Sequence, residues 1–160
     1  MYFCLFRVSV VFERTPSEAV YRLVYRSFAC PPWLPEKTLA DICAESQSKN
    51  VRDQVTGVLS FRDGVFLQVM EGSVMAVLSL SARIAADGRN ERLRILWHGH
   101  AASRLFPEWP MGCFLGDAGD PALDPLAEWT AERTRDLSQF YAEHQQLGIT
   151  PAFTVARRLT

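Results

Sequence analysis

The stretch Val55 to Gly72, VTGVLSFRDGVFLQVMEG, restricts the fold of this chain more than any other. Two β-rich runs, Val55 to Phe61 and Val65 to Met70, flank Arg62-Asp63-Gly64, and this spacing predicts a β-hairpin. Period-2 alternation puts Phe66, Gln68 and Met70 on one face of the second run and Val65, Leu67 and Val69 on the other. Gln68 is therefore a carboxamide inside an apolar row. An unpaired buried amide costs about 1–3 kcal/mol, so this residue either faces water or is held by dedicated hydrogen bonds.

Upstream, Tyr21, Leu23 and Tyr25 alternate with Arg22, Val24 and Arg26, a first strand with a sided pattern. Cys30-Pro31-Pro32-Trp33 blocks regular structure. Leu39, Ile42, Cys43 and Ser46 then recur at helical spacing and predict a helix from about Pro35 to Lys49, ending at Asn50. After the hairpin, Ser73 is placed to cap a second helix whose inner stripe is Val74, Val77, Leu78, Ser81, Ile84 and Ala85, with Gly88 as its stop. The small residues Ser81 and Ala85 suit either a flat group or ordinary close packing on a sheet. Arg92 to Trp97 reads as a fourth strand and Trp109 to Leu115 as a fifth.

The order strand, helix, two strands, helix, two strands predicts an α+β, ferredoxin-like sandwich: a five-stranded mixed sheet with both helices on one face. Strands one and three are then central neighbours, and Tyr25 and Gln68 lie side by side beneath the helices. The turn-rich DAGDPALDP precedes an amphipathic helix from about Leu126 to Gln146, with Trp129, Leu137, Phe140 and Tyr141 as its apolar positions. Too weak to fold alone, this helical extension is expected to dock on the open sheet face. Residues 147–160 read as a loose tail. The expected division is an extension over 1–19, a domain over 20–115 and a C-terminal helical extension over 116–160.

A chain of 160 residues, 48% apolar and with net charge −1, fits one soluble domain and gives no sign of nucleic acid or an anionic membrane as partner. No run approaches a membrane span. Cys4, Cys30, Cys43 and Cys113 lack C-x-x-C spacing and read as structural or inert thiols. The apolar start, MYFCLFRVSVVF, is interrupted by Arg7 and has no nearby small-residue cleavage site, so a cytoplasmic protein is expected.

Taken singly, Tyr25 reads as a core tyrosine and Asn50 as a helix C-cap. Taken with Gln68, they give a phenol and carboxamides with no titratable acid or base beside them. Each amide offers a donor and an acceptor, which suits recognition of the edge of a heteroaromatic ring and suits hydrolysis poorly. His98 and His100 form an H-x-H without a third ligand and read as solvent-facing. Ser73, Ser79 and Ser81 lack a nucleophile-elbow context, and no phosphate-binding glycine motif is present.

These residues resemble the BLUF domains, blue-light sensors that use flavin. The matching segments are R-L-V-Y-R-S with Tyr25, S-K-N-V-R-D-Q-V-T-G with Asn50, and G-V-F-L-Q-V-M-E-G with Gln68. R-I-x-x-D-x-R follows, ending in Arg89, and then R-L-F-P-E-W-P-M-G with Arg104, Phe106, Trp109 and Met111. The resemblance runs from about Tyr21 to Phe114 and is that of a short, stand-alone bacterial member.

The resemblance implies FAD, with FMN as the alternative, held non-covalently between the two helices. Asn50 would bind the pyrimidine edge of the ring, Gln68 would bridge flavin and Tyr25, and Arg89 and Asn90 would lie near the ring edge and ribityl chain. Asn90 stands where the family usually has histidine. Lys49 would approach the same edge.

The implied photochemistry starts from excited flavin as an oxidant, with Tyr25 as the close donor of an electron and a proton. Their return leaves the Gln68 amide rearranged, and the change passes to the fifth strand through Trp109 and Met111. No substrate turns over, so the chain is not expected to be an enzyme. With no output domain expected after Phe114, the signal would pass to a separate effector or regulator protein, or through a homodimer or higher homo-oligomer. An acylphosphatase-like hydrolase is disfavoured, because Cys30-Pro31-Pro32 offers no glycine-rich nest. A flavin-free interaction module of the same fold is the alternative.

Overall fold

The computed structural model describes residues 19–115, 121–146 and 154–155. The expectations for the N-terminal segment and for most of the tail lie outside those residues. The elements are β1 (Val20–Ala29), α1 (Glu36–Asp53), β2 (Thr56–Arg62), β3 (Val65–Gly72), α2 (Val74–Ala85), β4 (Asn90–Ala101), β5 (Gly112–Leu115), a 3-10 turn (Pro121–Leu123), α3 (Ala131–Gln146) and β6 (Thr154–Val155). The sheet order is β4-β1-β3-β2-β5-β6. The five expected strands are present with β1 and β3 at the centre. The tail adds a two-residue strand parallel to β5, which the reading of 147–160 as loose did not include.

The hairpin forms because Asp63 (φ 51°) and Gly64 (φ 79°) both adopt the left-handed conformation that two-residue turns of this twist require. Gly57 on β2 is fixed by proximity: a Cβ there would sit 1.9 Å from the Val69 carbonyl oxygen. All of β3 is buried, since α1 and α2 cover one face of the sheet and α3 the other. Val24, Val58, Leu67 and Val69 pack against Leu137 and Phe140 of α3, so the C-terminal helix docks on the sheet face opposite α1 and α2. Leu23, Tyr25 and Met70 face α2 through Val77, with Leu80 and Ile84 alongside.

Several boundaries depart from the sequence reading. Helix α1 runs past Asn50 and stops at Gln54 (φ 54°), whose N–H bonds the carbonyls of Asn50 and Val51, so Asn50 is an interior helix residue and not the C-cap. In α2, Ser73 caps as expected, its Oγ accepting from the Ala76 N–H at 3.2 Å, but Leu78 faces solvent while Leu80 packs inward. Strand β5 starts only at Gly112. Pro110 has no N–H to give a ladder, and the carbonyls of Pro110 and Met111 bond side chains of α1 instead. Helix α3 starts at Ala131, after Trp129.

Glu71, fully buried at the end of β3, accepts from Arg22 Nε at 2.7 Å and from the N–H groups of Leu105 (2.9 Å) and Phe106 (3.1 Å). Arg22 also reaches the Ser103 carbonyl at 3.0 Å, and Arg104 bonds Thr56 Oγ1 and the Glu71 carbonyl, each at 2.9 Å. The loop that leads into β5 is thereby clamped to the strand that carries Gln68. Cys43 and Cys113 form a disulfide between α1 and β5, whereas the sequence reading had them as separate thiols; Cys30 is a free, exposed thiol.

Candidate functional site

A cleft of about 210 Å³ lies between α1 and α2, with β1, β2 and β3 as its floor. Tyr25 and Gln68 meet on that floor as direct partners in the β1–β3 register, and the Tyr25 hydroxyl donates to Gln68 Oε1 at 2.5 Å. Both are at least 96% buried. Burial pushes the Tyr25 phenol well above its ordinary value, and the negative charge of Asp87 adds to this, so the group keeps its proton. The other end of the Gln68 amide, Nε2, points at the Met111 sulfur at 3.6 Å. A thioether is a weak acceptor, so one strong and one weak bond fix this amide.

Asn50 enters the cleft from α1. Its Nδ2 donates to the Pro110 carbonyl at 2.8 Å, while its Oδ1 is buried without a partner. Gln47 donates to the Met111 carbonyl at 3.0 Å, and Cys43 holds Cys113. Positions 43, 47 and 50 share one helical face, which is thus stitched along residues 110–113. Ser27, two residues beyond Tyr25 and so on the same strand face, also lines the cleft with a buried, unpartnered hydroxyl.

Charged groups ring the mouth. Arg89 forks onto Asp87, with Nη2–Oδ2 at 2.6 Å, and this pairing holds the Asp87 carboxyl below the usual carboxylate range. Arg83 pairs with Asp53 at 2.9 Å and Lys49 with Glu45 at 3.6 Å. Asn90 lines the cleft while its Nδ2 donates to the carbonyls of Ile84 (2.9 Å) and Asp87 (3.0 Å), closing the end of α2.

The structure therefore gathers Tyr25, Gln68, Asn50, Lys49, Arg89 and Asn90 around one cleft, with Met111 against Gln68. Trp109 does not join them. It lies in the core on the α3 side, stacked on Phe106 at 5.6 Å and edge-on to Tyr141 at 4.9 Å, with its indole N–H unpaired. Because residues 109–111 are not in a strand, Trp109 and Met111 leave the chain toward opposite sheet faces. Sequence reasoning missed Ser27, although its spacing from Tyr25 was readable. It also missed the seam along α1, whose partner segment only the fold reveals.

His98 and His100 cluster on Tyr21, whose hydroxyl lies 2.9 Å from His98 Nδ1. Among the described residues no group of His, Cys, Asp and Glu is placed to hold a metal ion, and no helix is long and apolar enough to cross a membrane.

Residues 20–112 match the profile of the family described as BLUF, sensors of blue-light using FAD. A photoactivated adenylate cyclase subunit alpha of Euglena gracilis is 35% identical over 94 residues, covering 56% of this chain and 9% of that protein. The dark-state structure of BlrB, a BLUF protein, superposes with a TM-score of 0.66 at 26% identity, over 79% of this chain and 98% of that one. A bacterial light-regulated adenylyl cyclase superposes with a TM-score of 0.59 at 27% identity, over 80% of this chain and 35% of the cyclase. This chain thus spans about a tenth of the length of the curated relative it matches. On its profile match and on its fold, this chain belongs to the BLUF family, the sensors of blue light that use FAD.

Proposed function

We propose that this chain is a photoreceptor unit in which the Tyr25–Gln68 hydrogen bond is the light-responsive element beside FAD in the α1–α2 cleft. The observation that carries this reading is the short Tyr25–Gln68 contact next to a buried, unpartnered Asn50 Oδ1. That oxygen fits a flavin: it lacks a donor, and the pyrimidine edge of an isoalloxazine offers an imide N–H. FMN would satisfy the same contact.

Bound flavin would supply blue-light absorption and an oxidising excited state. Tyr25, a neutral phenol, would give up an electron to that oxidising state together with the proton it shares with Gln68 Oε1, and later recover both. Gln68, weakly tied at Nε2, would reorient and exchange its contact with Met111. Asn50 would hold the ring edge while keeping its bond to the Pro110 carbonyl, so that ligand and β5 entry share one side chain. Lys49, Arg89 and Asn90 would face the ring edge and ribityl chain, with the arginine already oriented by Asp87.

Signal would leave through residues 109–113, where Trp109 and Met111 connect the α3 core to the cleft. The Euglena relative is named as a photoactivated adenylate cyclase subunit. For this chain we propose output by contact with a separate effector or regulator protein, or by a change in a homodimer or larger homo-oligomer, with no reaction catalysed. Residues 20–115 would be the sensor and 116–160 the extension through which it acts. The proposed setting is cytoplasmic, which would place the Cys43–Cys113 bond under reducing conditions.

The test is a light-minus-dark absorption spectrum of FAD-loaded protein. A reversible shift of the flavin band to longer wavelength is expected. A protein that stays colourless after reconstitution would instead support the flavin-free interaction module.

A further inference from the structure

We infer that the Ser27 hydroxyl is a second chromophore-positioning group, donating a hydrogen bond to a polar atom of the bound isoalloxazine ring; this rests on the flavin reading above. Ser27 is 1% exposed, and its Oγ has no partner, although it lines the cleft. Of the buried side-chain polar atoms without a partner among the described residues, two belong to cleft residues: Asn50 Oδ1 and Ser27 Oγ. Buried hydroxyls are ordinarily satisfied, so an orphan facing a cavity marks a missing ligand atom.

Its place on the floor is set by register. Ser27 pairs with Phe66 of β3, next to the Tyr25–Gln68 pair, and shares their sheet face. On the other side the β1–β4 ladder slips between Arg26 and Phe28, where Arg92 of β4 takes φ 53°, so Ser27 has no cross-strand residue on β4. Two residues further on, Ala29 pairs with Asn90, and the Cys30 N–H bonds the Arg89 carbonyl at 3.0 Å. Ser27 therefore stands between the photochemical pair and the α2–β4 turn, under the length of any flat ring spanning that distance. A hydroxyl rotates to donate or accept as required, which suits it to a ring heteroatom or carbonyl.

The experiment compares Ser27→Ala and Ser27→Cys with the wild type, as apoprotein and with FAD. In the apoprotein Ala removes an unsatisfied buried hydroxyl, so the melting temperature should hold or rise. With FAD, Kd should increase about tenfold, the value of one lost hydrogen bond. The dark-state flavin ring vibrations should shift in the resonance Raman spectrum. Cys fills the same space but barely donates, so it should share the loss. The inference is overturned if Kd and the ring bands stay at wild-type values, if Cys restores both, or if Ala lowers the apoprotein melting temperature, since that would mark a structural hydroxyl. Failure of the wild type itself to bind FAD would sink the flavin reading and this inference together, and is separately visible.

Discussion

The Tyr25 hydroxyl and the Gln68 carboxamide oxygen lie 2.5 Å apart across neighbouring central strands, in direct register. Replacing either partner should silence the switch without emptying the cleft, because Ser27, Lys49, Asn50, Arg89 and Asn90 still line it. Tyr25→Phe and Gln68→Leu are each expected to bind FAD and remain yellow while losing the reversible long-wavelength shift. Full retention of the shift in either variant would disprove the proposed photochemistry.

Asn50 holds the Pro110 carbonyl through Nδ2 and is proposed to hold the flavin through Oδ1, so its loss should be felt at both. Asn50→Ala is expected to weaken FAD binding by about tenfold, one hydrogen bond to a ring edge. It should also destabilise the apoprotein by roughly 1 kcal/mol through the freed Pro110 carbonyl. Fluorescence titration and urea denaturation read the two effects separately; an unchanged Kd would remove Asn50 from the binding site.

Glu71 is fully buried against Arg22 and the backbone of Leu105 and Phe106. Glu71→Gln leaves the guanidinium without its counter-charge, and breaking such a pair costs about 3–5 kcal/mol. The urea midpoint should fall accordingly, whereas an exposed pair such as Lys37–Asp41 should show less than about 1 kcal/mol on removal.

Tyr25 also predicts an alkaline limit. Its phenol keeps its proton in the fold well above the ordinary value of 10.0, whereas the unfolded chain releases it there. From about pH 10 upward the unfolded state binds fewer protons than the native one, so stability falls by about 1.4 kcal/mol per pH unit from this group alone. The contribution is complete below pH 10 and is lost as pH rises toward the raised value. Tyr25→Phe should flatten the slope of unfolding free energy against pH in that range; equal slopes would contradict the buried neutral phenol.

The Cys43–Cys113 bond closes a separation of 70 residues. Cys43→Ala is expected to lower stability by about 2–4 kcal/mol under non-reducing conditions. With excess dithiothreitol the difference from wild type should largely vanish, and a persistent gap would mean that packing, not the cross-link, carries the effect.

The hairpin, the order of elements and the pairing of Tyr25 with Gln68 were legible because period-2 patterns and a Asp-Gly turn specify register locally. The docking of α3 was also legible, since an amphipathic helix and an open apolar face need each other. What escaped lies in long-range competition. Nothing local to Pro110 shows that its carbonyl belongs to Asn50, and so nothing showed that strand five starts late or that Trp109 turns away from Met111. The disulfide escaped for the same reason: Cys43 and Cys113 face each other only because α1 lies along β5. Asn50 looked like a helix end because the left-handed stop falls on Gln54, a residue with little preference for it.

The disulfide also divides the cleft into mechanically unequal halves. From Cys43 to Cys113 the backbone and the cross-link form a closed covalent ring that carries β2, β3, α2 and β4. Asn50, Gln68, Arg89 and Met111 all travel on it. Strand β1 is outside the ring yet seated between two of its strands, held there by its β3 and β4 ladders and by side-chain contacts such as Arg22–Glu71. Tension applied to the chain ahead of Val20 would shear β1 from both neighbours while the ring stayed closed. Tyr25 is thus the detachable half of the hydrogen-bonded pair, and Gln68 the anchored half.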